Sequence, residues 1–199
     1  MKTALLVIDV QNIYTDEKSE MYCNQASKTL DNINLLLTQF QRANSPIILV
    51  RHVHKANGSD LGRMFDYAGP ADGFNFKEGT KEVEYSDGIK TPASAIEIVK
   101  NRYSSFIGTR LDETLKRLNV QRVTICGFMT NFCCDSTARD AHDLDYFVDY
   151  VTDATGTPGT THMKQREIRE VVSNLLGEGY AETFTTKRYL KLLPERIKP

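Results

Sequence analysis

The chain has 199 residues, 40% of them hydrophobic and 26% charged, and its 25 basic and 26 acidic side chains leave a net charge of −1. That length supports one domain over residues 1–199 with a core of its own, and the balanced charge supplies no basic surface for nucleic acid or an anionic membrane. No apolar run approaches the roughly 18 residues that span a bilayer, and the apolar run ending in Asp9 and Gln11 is too short for a signal peptide, so the expected setting is the cytoplasm.

Residues 4–9 form a continuous apolar run ending in Asp9, as in a central strand buried on both faces. Residues 24–43 predict a helix, because Ala26, Leu30, Ile33, Leu37 and Phe40 recur every three or four positions. Ser45-Pro46 breaks to a second strand over residues 47–53. Residues 55–91 are rich in Gly and Asp and weakly periodic; a loop that long in a compact domain is usually functional, so it is expected to cover the mouth of a site. A third strand is predicted at 95–100. Thr109 can cap a helix carrying Leu111, Leu115 and Leu118 on one face. Further elements are a strand at 122–127, a helix near 130–142, a strand at 146–152, a helix near 161–176 stopped by Gly177, and an edge strand at 181–184. Strands alternating with helices imply a mostly parallel sheet covered on both faces, a three-layer α/β/α sandwich.

Open parallel sheets bind ligands beyond the carboxyl ends of their strands. Three of those ends bring chemistry: Asp9 and Gln11 after the first, Lys100 at the third, and the segment 128–134 after the fourth. If Thr130 caps the following helix, Cys133 lies in its first turn, where unpaired amides and the helix dipole favour an anion. A nearby Lys100 would add positive charge, and both effects lower a thiol pKa. Asp9 could take the thiol proton and return it to a leaving amine. The competing reading is that Cys133 and Cys134 are small core residues against the sheet. Cys23, Cys126, Cys133 and Cys134 match no zinc spacing, and reduced thiols are expected.

Four segments in this order resemble the isochorismatase-like cysteine hydrolases: Leu5-Leu-Val-Ile-Asp-Val-Gln11, Val99-Lys-Asn-Arg-Tyr-Ser-Ser-Phe106, Gly127-Phe-Met-Thr-Asn-Phe-Cys133 and Ser136-Thr-Ala-Arg-Asp-Ala141. The resemblance covers nearly the whole chain. It implies a catalytic triad of Asp9, Lys100 and Cys133, attack of the thiol on a carbonyl carbon, and a thioester that water then hydrolyses. It also implies a cis peptide matching Phe128-Met129, with an oxyanion hole sought in the amides of Met129 and Cys133. No cofactor is implied. Relatives are often dimers or tetramers, so a homo-oligomer is expected.

The expected reaction is cleavage of a C–N bond in a small amide, carbamoyl or ureido compound. Vinyl-ether hydrolysis within the same family is the alternative, against which the thiol speaks; a non-catalytic binding module on the same fold is another. Gln11, Tyr103, Phe106 and Thr130 are candidates to touch substrate, with packing roles as the competing reading for Tyr103 and Phe106. His52 and His54 could form half of a metal site, or one of them could line the pocket. The Asp-x-His motif and later histidine of nicotinamidases are absent here, so no metal is expected. Arg63, Phe65 and Tyr67 in the long loop are candidates for substrate or oligomer contacts. His162 is expected to be structural, and Arg139 and Asp140 to make ordinary helix ion contacts.

Overall fold

The computed structural model describes residues 1–66 and 73–197. Six parallel strands make one sheet in the order β3-β2-β1-β4-β5-β6. They are β1 (Thr3–Ile8), β2 (Ile47–His52), β3 (Ile96–Lys100), β4 (Arg122–Phe128), β5 (Phe147–Gly156) and β6 (Glu182–Phe184). The order reverses at β1: the chain first builds outward through β2 and β3, then returns to place β4 on the other side. Such a switch point opens a crevice at the carboxyl ends of β1 and β4.

The alternation along β1 divides the core into two. Leu5 and Val7 face a cluster with Ile33, Leu37 and Phe40 of α2 (Ala26–Arg42) and Tyr189 and Leu193 of α6 (Thr186–Arg196). Ala4, Leu6 and Ile8 face the opposite cluster, with Leu111 and Leu115 of α3 (Leu111–Arg117), Ala138 and Ala141 of α4 (Asp135–Asp143), and Leu176 of α5 (Gln165–Gly177). The three layers anticipated from the alternating pattern are therefore present. Both faces of β1 are sealed, which is why its sequence is a run of apolar residues and not an alternation.

Several boundaries differ from expectation. A four-residue helix α1 (Asn12–Thr15) follows β1 directly. β5 continues to Gly156 beyond a register shift opposite Ile125 and Gly127. The 130–142 helix begins as a π-turn, Thr130–Cys134, before α4. The N-cap of α3 is Arg110, which makes no side-chain cap; Thr109, expected there, stands one residue earlier, and its hydroxyl accepts from the Leu111 amide at 3.1 Å.

Helix α6 is tied to the sheet by polar contacts. Arg122 Nη1 lies 2.6 Å from Asp149 Oδ1, the Tyr189 hydroxyl donates to Asp149 Oδ2 at 3.2 Å, and Thr124 and Tyr189 share a hydroxyl–hydroxyl bond. Arg122 and Asp149 are nearly sealed from solvent, so removing one charge leaves the other in a low dielectric with only a longer contact, Arg122 to Glu182 at 3.6 Å or Asp149 to Arg196 at 3.7 Å. Asp149→Ala is expected to lower unfolding stability by about 3–5 kcal/mol in urea titration. Arg166→Ala, which breaks an exposed pair with Glu170, should cost within about 0.5 kcal/mol. Similar losses for both would show that the buried network does not hold the helix.

Candidate active site

Asp9 leaves β1 with φ +49°, in the left-handed region, and its amide donates to the Val50 carbonyl at 2.8 Å. A non-glycine residue there is uncommon and costs about 1–3 kcal/mol of backbone strain. The neighbouring strand makes room for this corner. Gly127 has φ +124°, and a Cβ at that position would lie 1.9 Å from the Ile8 carbonyl oxygen; only glycine lets β4 approach so closely. The peptide between Phe128 and Met129 is cis. The π-turn follows, with the Cys134 amide bonded to the Met129 carbonyl at 3.1 Å.

Lys100 comes from β3, two strands away from β1, or roughly 10 Å at ordinary strand spacing. Its long side chain closes that gap. The ammonium lies 2.7 Å from Asp9 Oδ2 and donates at 3.2 Å to Cys133 Sγ and at 3.0 Å to the Arg102 carbonyl. Two of its three N–H bonds are spent on hydrogen bonds, and the Asp9 contact is an ion pair, neither Asp9 oxygen having a hydrogen-bond partner among the described residues. Asp9, Lys100 and Cys133 are all buried.

Burial sets the protonation. It pushes the Cys133 thiol up to about 12; Lys100 opposes this, and the Asp9 charge adds to it. The expectation of a lowered thiol pKa is therefore overturned: desolvation outweighs the neighbouring ammonium, and the carboxylate acts in the same sense as desolvation. Burial also raises the Asp9 carboxyl, against the pull of Lys100. For Lys100, burial lowers the pKa, but Asp9 and Cys133 outweigh it and keep the amine charged. At neutral pH the thiol therefore keeps its proton and the amine its charge, and the Lys100 ammonium bridges the Asp9 carboxyl and the sulfur.

Cys133 opens onto a cavity of about 220 Å³ whose wall includes His52, Met129, Tyr103 and Phe132. The long loop adds Met64, Phe65, Phe74 and Phe76, in line with its expected place at the mouth. Tyr103 and Phe132 stand together there with ring centroids 5.0 Å apart.

Other candidates fall elsewhere. Gln11 is fully buried, and its amide is spent on the backbone: it donates to the carbonyls of His52 and Val83 at 3.0 and 2.9 Å and accepts from the His52 amide at 2.9 Å. Phe106 packs in the core on Tyr146, with ring centroids 6.0 Å apart. Thr130 does not cap its helix; its hydroxyl donates to the Thr155 hydroxyl at 3.0 Å and its carbonyl accepts from Tyr150. Phe128 is buried against Tyr14, with rings stacked at 5.3 Å. Arg63 makes a surface pair with Asp66; Tyr67 lies outside the described residues. His162 sits in the exposed turn before α5, and Arg139 pairs with Asp135 on α4.

Of the two histidines, His52 reaches the cavity. One of its ring nitrogens, an Asp9 oxygen and Cys133 Sγ lie within 4.8 Å of one another, a spacing a metal could use. The donor set does not fit a cation, because the Lys100 ammonium already contacts two of the three atoms and would repel one. Tyr14, Met21, Phe74, Phe76 and Phe132 were not anticipated as cavity walls. Phe132, adjoining Cys133 in an otherwise polar turn, carried the one signal that could have been read.

Residues 3–180 match the model of the Isochorismatase domain. The chain is 34% identical over 156 residues to nicotinamidase 3 of Arabidopsis thaliana, covering 77% of this chain and 73% of that protein. It is 26% identical over 195 residues to a ureidoacrylate amidohydrolase of Acinetobacter baylyi, covering 85% and 77%. The crystal structure of a cysteine hydrolase from Pseudomonas syringae pv. phaseolicola 1448A superposes with a TM-score of 0.91 at 24% identity, covering 98% of this chain and 93% of that one.

The four cysteines are free and buried, and Cys133 borders the cavity. Iodoacetamide should therefore modify Cys133 first. Because the thiol pKa lies near 12, the thiolate fraction rises about tenfold per pH unit through neutrality. The labelling rate should climb across pH 7–10; a plateau already reached near pH 7 would mean a thiolate at rest and contradict this protonation pattern.

Proposed function

The chain belongs to the isochorismatase family of hydrolases, and from that premise we propose that it cleaves the C–N bond of a small amide, carbamoyl or ureido compound through Cys133. The observation that carries the reading is the Lys100 ammonium in contact with both Asp9 and Cys133. The relatives named above, a nicotinamidase and a ureidoacrylate amidohydrolase, support the class of bond.

The protonation pattern dictates the order of events. A thiol is a poor nucleophile, so it must lose its proton as it attacks. Asp9 accepts that proton while the sulfur bonds to the carbonyl carbon. Negative charge thereby moves from carboxylate to sulfur to the substrate oxygen. Lys100 touches both of the first two stations, so the transfer proceeds without uncovering an isolated charge in a dry site. The oxyanion falls to the amides of Met129 and Cys133. Asp9 then gives its proton to the nitrogen, the C–N bond breaks, and the amine leaves a thioester on Cys133. Water, deprotonated by Asp9, attacks the thioester; a carboxylic acid departs and the thiol is restored. The sum is amide plus water to acid plus amine, with no redox change. The four unpaired cysteines support a reducing, cytoplasmic setting.

The test is ammonia release from a panel of small carboxamides and ureido compounds. Wild type should turn over at least one of them. Cys133→Ala should abolish turnover, and Asp9→Asn should lower kcat by about 10²–10⁴-fold. Turnover that survives in Cys133→Ala would remove the nucleophile assignment and the mechanism with it.

A further inference from the structure

The chemistry above leaves two buried imidazoles beside the cavity unused. His52 and His54 are 1% and 0% exposed, and their Nε2 atoms are 3.0 Å apart. That separation fits one shared proton, since two protons would collide and none would oppose two lone pairs. Burial lowers the pKa of both rings and keeps them neutral, so each ring carries a single proton.

The donor in that pair is chosen from outside it. Asp60 Oδ1 lies 3.4 Å from His54 Nδ1, an electrostatic contact longer than a good hydrogen bond. Burial raises the Asp60 carboxyl, but hydrogen bonds from the Asn101 side chain and the Lys55 amide outweigh it and hold it ionised, below its usual value. A carboxylate facing Nδ1 favours a proton there. His54 Nε2 must then accept, His52 Nε2 must donate, and His52 Nδ1 is left as a bare lone pair. Among the described residues both Nδ1 atoms are buried without a hydrogen-bond partner, but His54 Nδ1 has the Asp60 carboxylate 3.4 Å away and His52 Nδ1 has no such ion-pair contact, a state that costs stability unless something else satisfies it.

The ring carrying it is held firmly. His52 lies flat on Phe76, with centroids 4.3 Å apart and planes 9° from parallel. Gln11 clamps its backbone at both the N–H and the C=O. One ring nitrogen lies within 4.8 Å of Cys133 Sγ, while much of the surrounding wall is aromatic or thioether.

We propose that Asp60 and His54 hold His52 in the tautomer whose Nδ1 accepts a hydrogen bond from a substrate N–H beside the scissile carbonyl. This rests on the hydrolase reading and narrows it: primary amides, carbamoyl and ureido groups are selected over esters and tertiary amides of the same acyl group. His52 touches substrate; His54 and Asp60 are positioning residues. Sites built around a buried acceptor discriminate by hydrogen bonding, because the analogue without the donor leaves that acceptor unpaired.

The test uses full-length Cys133→Ser protein, in which thiol chemistry is off, and two-bond ¹⁵N–¹H NMR of the histidine side chains. His52 is expected to be protonated on Nε2 and His54 on Nδ1. Benzamide should shift the His52 Nδ1 resonance as a hydrogen bond forms, and methyl benzoate should leave it in place. Asp60→Asn in the same background should mix the two tautomers and weaken benzamide at least several-fold more than methyl benzoate. A proton on His52 Nδ1, an Nδ1 signal indifferent to benzamide, or equal responses to the two probes would overturn the proposal. No turnover is read, so these outcomes are separate from those of the ammonia assay.

Discussion

An ammonium buried between a carboxylate and a sulfur is the constraint from which the rest of the site follows. Lys100 has no solvent to carry its charge, so the protein must supply its partners: the Asp9 carboxyl as an ion pair, and Cys133 and the Arg102 carbonyl as acceptors. Those groups lie on separate stretches of chain. Holding them around one nitrogen requires β1, β3 and β4 to end at the same edge, and the strand order β3-β2-β1-β4 accomplishes this with β2 as the spacer that a lysine can cross. The same requirement explains the strained corner at Asp9 and the glycine at 127. Both bring the carboxylate and the segment bearing the sulfur closer than ordinary strand geometry allows.

Burial also changes what kind of nucleophile this is. An exposed cysteine at a helix start beside a lysine would rest as a thiolate. Here desolvation wins and the sulfur keeps its proton at neutral pH; in the proposed reaction it gives that proton up only as it attacks the substrate carbonyl. In that reaction the Asp9–Lys100 pair would act as a charge reservoir, with Lys100 balancing the negative charge wherever it sits along the path from Asp9 to Cys133. A thiol that remains protonated at rest is also less prone to adventitious oxidation, since thiolate character governs that chemistry.

β1 and β4 were legible because a doubly buried parallel strand leaves a plain trace, a short apolar run closed by a polar residue; β3 is the edge strand, with Glu97 and Val99 exposed, and its shorter apolar stretch still closes on Lys100. Asp9, Lys100 and Cys133 all stand at or just after such closures. Helix α6 left no such trace: Pro194 and a high charge density disguise it, and it is held by Tyr189 and Leu193 meeting a core assembled from distant strands. The far half of β5, Asp153-Ala-Thr-Gly156, reads as a turn and becomes strand only by pairing with β4 beyond the register shift. Gln11, Phe106 and Thr130 were drawn toward the substrate by their nearness to the trio in sequence. Their side chains take partners in the backbone, the core and β5, because neighbours along the chain point to different faces. The thiol pKa was misjudged for a related reason: the local charges can be read from sequence, but the depth of burial that outweighs them is a property of the assembled fold. The tautomer of His52 depends likewise on Asp60, which the long loop brings in from eight positions away.

The central claim is that Lys100 maintains Asp9 as a carboxylate in a site too dry to ionise it alone. The most direct measurement is the ¹³C resonance of the Asp9 side-chain carboxyl at pH 7.5, in wild type and in Lys100→Met, assigned by comparison with Asp9→Asn. The account predicts an ionised carboxylate in wild type and a protonated acid in Lys100→Met. A carboxyl with the same ionisation state in both proteins would contradict it.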